Sequence, residues 1–220
     1  MNGHGFSLRG AALTALPSGA LWWPSEGCLT VSDLHLGRSE RYARRAGALL
    51  PPYEVEETLT RLDADIAATR AGMVICLGDT FDDLQAAELG EAHALWLARL
   101  MAGRRWVWIE GNHDPGPVGL GGEHRAELAL GPLTFRHIAL AGSTGEVSGH
   151  YHPKARIAGQ AQRCFLADTQ RLILPAYGTY TGGLYSDDPA LSDLMQPGAV
   201  AILTGRVARP IPMPRRKEPV

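Results

Sequence analysis

CLTVSDLHLG, residues 28–37, decides the fold. A short apolar run from Cys28 to Val31 stops at a polar cluster, Ser32 to Gly37, and reads as a buried strand delivering a loop. The same unit returns twice. MVICLGD, residues 73–79, is a continuous apolar run ending at Gly78-Asp79, and WVWIEGNHD, residues 106–114, closes on Gly111-Asn112-His113-Asp114. Between these units Val55, Leu59, Leu62 and Ile66 recur at helical spacing over Glu54 to Thr69, with Pro51 and Pro52 upstream as a start signal. Ala86 to Met101 is a second helical stretch. Strand-and-loop units separated by helices predict an α/β layered fold, in which reactive side chains gather beyond the carboxyl ends of the strands.

After Pro115 the pattern shifts to shorter strand-like segments, Leu133 to Phe135, Glu146 to Ser148, Arg163 to Leu166, Arg171 to Leu174 and Ala199 to Leu203, divided by Gly and Pro. A chain of 220 residues that is 45% hydrophobic suits one domain over 1–220. No internal repeat is visible, and the Pro/Arg-rich stretch after Ala208 is expected to be disordered.

Lys and Arg total 21 against 23 Asp and Glu, a net charge of -2, so the molecule has no global basic field for nucleic acid. Any such contact must be local. Arg38, Arg41, Arg44 and Arg45, and the tail Arg215, Arg216 and Lys217, are the candidate patches, with solvated faces as the alternative. Cys28, Cys76 and Cys164 are odd in number and lack CxxC spacing, which points to a reducing compartment. Cys28 and Cys76 fall in apolar runs and read as core. The first residues lack a basic region followed by an unbroken apolar stretch, and no run approaches the ~20 residues of a membrane span. The expectation is a cytoplasmic protein without a membrane partner.

Asp33-Leu34-His35, Gly78-Asp79 with Asp82 three residues on, Gly111-Asn112-His113 and Gly149-His150-Tyr151-His152 each follow an apolar strand-like run. In Asp-x-His and His-x-His the paired side chains project together from an extended or turning backbone. Oxygen and imidazole donors without cysteine suit Mn, Fe or Zn, and a carboxylate such as Asp79 can bridge two ions. Two ions ~3.5–4 Å apart stabilise both the attacking and the leaving oxygen of an in-line displacement at phosphorus. Singly, each motif also reads as an ordinary turn or loop. Their combination, in this order, argues for a two-metal phosphoester site.

DLHLG, GDxxD, GNHD and GHYH together resemble the calcineurin-like metallophosphoesterase superfamily. The resemblance implies a four-layer αββα sandwich, with two mixed sheets flanked by helices, and two divalent metal ions. It places Asp33, His35, Asp79 and His152 on one ion, and Asp79, Asn112, His137 and His150 on the other. His137 is carried over by its position at the end of the Leu133 to Phe135 run. His113 is the residue that stabilises or protonates the departing oxygen, and Asp82 orients it, a carboxylate partner raising the imidazole pKa.

A closer resemblance runs along nearly the whole chain, through ARRAGALLPPY (43–53), LGPLTFRH (130–137), GEVSGHYHPKARI (145–157) and LPAYGTYTGGL (174–184). These segments are similar to the ligase-associated DNA damage response endonucleases of the PdeM family. That implies a Mn-dependent nuclease acting on DNA, single-stranded or damaged, and associated with an ATP-dependent DNA ligase and a helicase. Homo-oligomerisation stays open. Arg38, Arg44 and Arg45 are the candidate contacts to backbone phosphates. Tyr177, Tyr180 and Gly182-Gly183 read either as a stacking surface for a single strand or as a tight turn. The five tryptophans fall mostly in apolar patterns and read as core.

Two other functions fit parts of the pattern. DLHLG followed by GDxFD also resembles pyrophosphatases of nucleotide-sugar lipids, which require an acyl cleft or a membrane-facing insert rich in Leu and Phe; none is apparent. A non-catalytic metal-binding scaffold is disfavoured by the presence of every ligand and of His113.

Overall fold

Each of the three apolar runs forms a strand buried on both faces, and its alternating side chains serve two different cores. A computed structural model describes residues 2–37, 53–81, 89–112 and 120–215. The first sheet holds β1 (His4–Leu8), β2 (Ala11–Ala15), β3 (Leu21–Trp23), β4 (Cys28–Ser32), β5 (Met73–Leu77), β6 (Arg105–Ile109) and β7 (Glu123–Arg125), in that spatial order. Strands β1 to β4 pair antiparallel, and β4 to β7 parallel. Met73, Ile75 and Leu77 point into one cluster with Cys28, Val107 and Ile109. Val74 and Cys76 point the other way, with Leu29, Val31, Trp106 and Trp108. A strand covered on both faces has no polar alternation, which is why these segments read as continuous apolar runs.

Helix α1 (Glu54–Thr69) and helix α2 (Glu91–Met101) cover the second of those faces through Val55, Leu59, Leu62, Ile66, Leu97 and Leu100. Glu54, Glu56 and Glu57 occupy the first turn of α1, where they favour the positive end of the helix dipole. Arg70 ends it in a left-handed conformation, its N–H donating to the Ile66 carbonyl. Helix α2 starts at Glu91 rather than at the expected Ala86; Leu89 and Gly90 are not helical, and 86–88 lie outside the described residues, as do Pro51 and Pro52.

The second sheet is built from β8 (Glu127–Leu130), β9 (Leu133–Arg136), β10 (Glu146–Ser148), β12 (Gln160–Ala167), β13 (Arg171–Ile173), β14 (Val200–Leu203) and β15 (Arg209–Pro212), with β11 (Lys154–Ile157) paired to β12. It too is mixed, with parallel β9–β10–β13 at its centre. Phe135, Val147, Phe165, Leu172, Leu174 and Ile202 fill the space between the two sheets, against the first cluster above. The outer face of the second sheet packs through Cys164, Leu166, Ile173 and Ala201 on Leu191 of the short helix α3 (Pro189–Ser192) and on Met195. The layers are therefore helix, sheet, sheet, helix, the expected αββα sandwich. Among the described residues no helix is long and apolar enough to cross a membrane.

Three expectations are corrected. The sequence reading begins its strands at Cys28, whereas three further strands precede it. The chain after Ala208 is ordered through Arg215: Arg209–Pro212 pair with β14, and Met213 is buried. Pro210 and Pro212 are tolerated there because β15 is an edge strand, where a missing N–H costs no ladder bond on the open side. Tyr177 is fully buried and donates to Asp65 Oδ2 at 2.8 Å, so it offers no stacking face, while Tyr180 is 39% exposed.

Candidate metal centre

The parallel strands bring their carboxyl ends to one edge of the sandwich. Asp33 and His35 follow β4, Asp79 follows β5 and Asn112 follows β6 in the first sheet; His137 follows β9, and His150 and His152 follow β10, in the second. The two sheets thus contribute to one cluster. The loops after β4 and β5 are tied together, with His35 N–H donating to the Asp79 carbonyl at 3.0 Å and Leu36 N–H to the Thr80 carbonyl at 2.9 Å.

Asp33, His35 and His152 each place one ligand atom within 4.8 Å of the others, and Asp79, His137 and His150 form a second set of the same kind. Asn112 Oδ1 lies 2.9 Å from His137 Nε2, on the side of the second set. His152 Nε2 is 3.4 Å from His35 Nε2 and 3.1 Å from Asp33 Oδ1; His137 Nε2 is 3.4 Å from Asp79 Oδ2 and 3.2 Å from His150 Nδ1. Ring nitrogens and carboxylate oxygens converging this tightly suit divalent ions bound by nitrogen and oxygen donors.

Neighbouring groups determine which atom of each ligand faces inward. The Ser32 hydroxyl donates to Asp33 Oδ2, and His150 N–H donates to the same oxygen at 3.0 Å. Asp33 Oδ1 is buried and receives no backbone or hydroxyl donor; what stands against it is the His152 ring nitrogen, at 3.1 Å. A fully buried carboxylate oxygen met only by a ring nitrogen is costly unless a proton or a cation lies between them, which is the observation that fits a metal here. His137 Nδ1 lies 2.9 Å from the Leu77 carbonyl, so Nδ1 carries the proton and Nε2 is turned toward Asp79 and Asn112. Ser32 was not singled out from the sequence, although a hydroxyl closing an apolar strand just before Asp33 was a usable signal.

The backbone is strained where the ligands sit. Among the described residues nine non-glycine positions have positive φ, and five of them are Asp33, His35, Asp79, His150 and His152. Left-handed conformations cost about 1 kcal/mol each outside glycine and concentrate at functional sites. Gly78 is required by contact as well as by its φ of 68°: a Cβ there would lie 2.4 Å from His137 Nδ1.

Burial alone would raise the Asp33 carboxyl, but the His152 and His137 rings and the Ser32 hydroxyl outweigh it and hold the group below its ordinary pKa. Burial opposes protonation of His137, yet the Asp79 and Asp33 carboxylates and the Leu77 carbonyl raise it to about 9. His150 is lowered, by burial and then by the charge on His137. Without metal, His137 is therefore protonated at neutral pH, and an ion must displace that proton. Metal loading at pH 7.5 is expected to release about one proton per chain, with apparent affinity climbing as pH rises toward 9. Calorimetry in two buffers of different ionisation enthalpy reads this directly; identical heats in both would contradict it.

His113, Asp82, Arg38, Arg44 and Arg45 lie outside the described residues. Residues 29–205 match the family model described as calcineurin-like phosphoesterase. The chain belongs to the calcineurin-like phosphoesterase family. As a calcineurin-like phosphoesterase it is a metal-dependent hydrolase, and its two His/Asp clusters match a dinuclear divalent metal site. It is similar to a crystal structure described as that of Pseudomonas putida nuclease MPE, at 29% identity and a TM-score of 0.75, over 95% of this chain and 100% of that one. Comparison of the sequence with curated proteins found no match.

Proposed function

We propose that this calcineurin-like phosphoesterase is a Mn-dependent DNA endonuclease or phosphodiesterase that cleaves single-stranded or damaged DNA during repair. The observation that carries the reading is the likeness to a nuclease along almost the whole chain, rather than over the metal motifs alone. The PdeM-like segments add functional association with an ATP-dependent DNA ligase and a helicase. Three free, buried cysteines suit a reducing cytoplasm.

A pair of divalent ions, when bound, supplies Lewis acidity on both sides of phosphorus and activates water. Asp33, His35 and His152 would hold one ion, Asn112, His137 and His150 the other, with Asp79 shared between them. Ser32 and the His150 N–H hold Asp33 so that Oδ1 is turned toward His152, and the Leu77 carbonyl holds His137 so that Nε2 is turned toward Asp79 and Asn112, the orientations in which these atoms would hold the ions. By the family resemblance His113, next to Asn112 in the sequence, would donate the proton to the departing oxygen. By the same resemblance Asp82 would orient His113, a carboxylate partner favouring the protonated ring.

The test is Mn-dependent cleavage of a single-stranded oligonucleotide and of a chromogenic phosphodiester, beside a His113→Ala control. Cleavage of both that falls about 10²-fold or more in the control is expected. Cleavage of the small diester alone would remove DNA as substrate and direct attention to nucleotide pyrophosphates.

A further inference from the structure

We propose that Arg61, Lys154 and Arg163 form a phosphate-binding subsite beside the metal centre, which takes a backbone phosphate of a nucleic-acid strand away from the scissile bond. The inference rests on the DNA reading above and names three contacts for it.

Lys154 and Arg163 are directly paired across β11 and β12. Like charges facing one another in an antiparallel ladder are destabilising, and both side chains are partly buried. Among the described residues neither forms an ion pair. Arg163 Nη1 donates to the Ala176 carbonyl at 3.3 Å. From helix α1, Arg61 Nη2 donates to Thr179 Oγ1 at 3.1 Å, and its guanidinium stands 5.0 Å from the centre of the Tyr177 ring. Two guanidiniums from separate elements thus bracket the turn 176–179, and Lys154 faces one of them. Burial, then the charge on Arg61, holds the Arg163 pKa below its ordinary value.

Two carboxylates offset the three cations only in part: Glu57 acts on both Arg61 and Arg163, and Asp65 acts on Arg61. Glu57 is 3.6 Å from Arg61 with a side chain 60% exposed, a weak surface pair, and Asp65 accepts from Tyr177. In a chain of net charge -2, three such cations form a local anion site rather than part of a general basic surface.

The turn they bracket is fastened to the first ligand set. Tyr177 N–H donates to the Ser32 carbonyl at 2.7 Å and Gly178 N–H to the Asp33 carbonyl at 3.1 Å. Lys154 lies two residues beyond His152, and Gly183 packs so closely that a Cβ would sit 2.0 Å from the His152 carbonyl oxygen. A strand with its scissile phosphate at the metals therefore passes the three cations on the Asp33 and His152 side. Such contacts set the register of the strand and carry no sequence readout.

The experiment compares kcat/KM of the Mn-loaded full chain and of an Arg61→Gln/Lys154→Gln double variant on a single-stranded oligonucleotide and on a small chromogenic diester, across a range of salt. Arg163 is left in place to preserve β12, and Lys154→Gln alone serves as a second variant that leaves the Tyr177 contact intact. The expected loss on the oligonucleotide is about tenfold greater than on the diester. The salt dependence should become shallower by about 0.7 in log–log slope for each phosphate contact removed. Equal losses on both substrates, or an unchanged slope, overturn the subsite while the DNA reading stands. Wild-type protein that cleaves the diester and not the oligonucleotide overturns both.

Discussion

Asp33→Asn is expected to lower phosphodiester hydrolysis about 10³-fold or more and to reduce the bound metal from two ions per chain to one or none. The carboxylate is fully buried, and its Oδ2 already receives two donors, the Ser32 hydroxyl and the His150 N–H. An asparagine satisfies those donors only by turning its oxygen to them, which points its NH₂ group, a donor, at the position of the cation. Replacing groups that only support a metal ligand costs about 10–100-fold, so loss of a charged ligand costs more. Metal analysis and turnover on the same preparation check the result. A variant that keeps two ions and near-wild-type turnover would take Asp33 out of the metal centre.

Gly149→Ala is expected to destabilise the fold by about 3 kcal/mol and to remove metal with it. A Cβ at Gly149 would lie 1.7 Å from Ser32 Oγ and 2.5 Å from Asp33 Oδ2, closer than any contact permits. The end of β10 must move away from β4, which separates the two sheets where they share the site, or Ser32 must abandon Asp33, which releases the carboxylate from its orientation. Gly182→Ala is the natural control, because a Cβ there meets nothing within 4 Å, and its effect should stay within about 0.5 kcal/mol. Urea unfolding of both variants measures the contrast. Equal midpoints for the two would show that the junction between the sheets is not the tight contact described.

Both variants act on features of differing visibility in the sequence. Asp33 was legible because it ends a strand buried on both faces, and such a strand leaves an unbroken apolar run before its first polar residue. The same signal exposed Asp79, Asn112 and the two histidines after β10, and with them the layered fold. His137 was placed by family likeness, since LTFRH carries no spacing of its own. The first three strands stayed hidden because their inward residues include Ala11 and Ala15, whose small side chains give little contrast with Ala12 and Thr14. β15 was misread because proline signals disorder in isolation and an edge strand only when its neighbour is known. The left-handed backbone at Asp33, His35, Asp79, His150 and His152 has no signature in residue type. It follows from tertiary contacts that hold five non-glycine residues in a costly conformation. The pairing of Lys154 with Arg163 depends on register across a hairpin, so two isolated cations in the sequence gave no sign of facing each other.

The most direct test of the central claim is a Mn titration of metal-free protein, reading bound metal and phosphodiester turnover together. Two ions per chain, with turnover appearing as the second is bound, is the predicted result. Full turnover at one ion per chain, or turnover independent of added metal, would contradict a dinuclear site built from Asp33, His35 and His152 on one side and Asp79, His137 and His150 on the other.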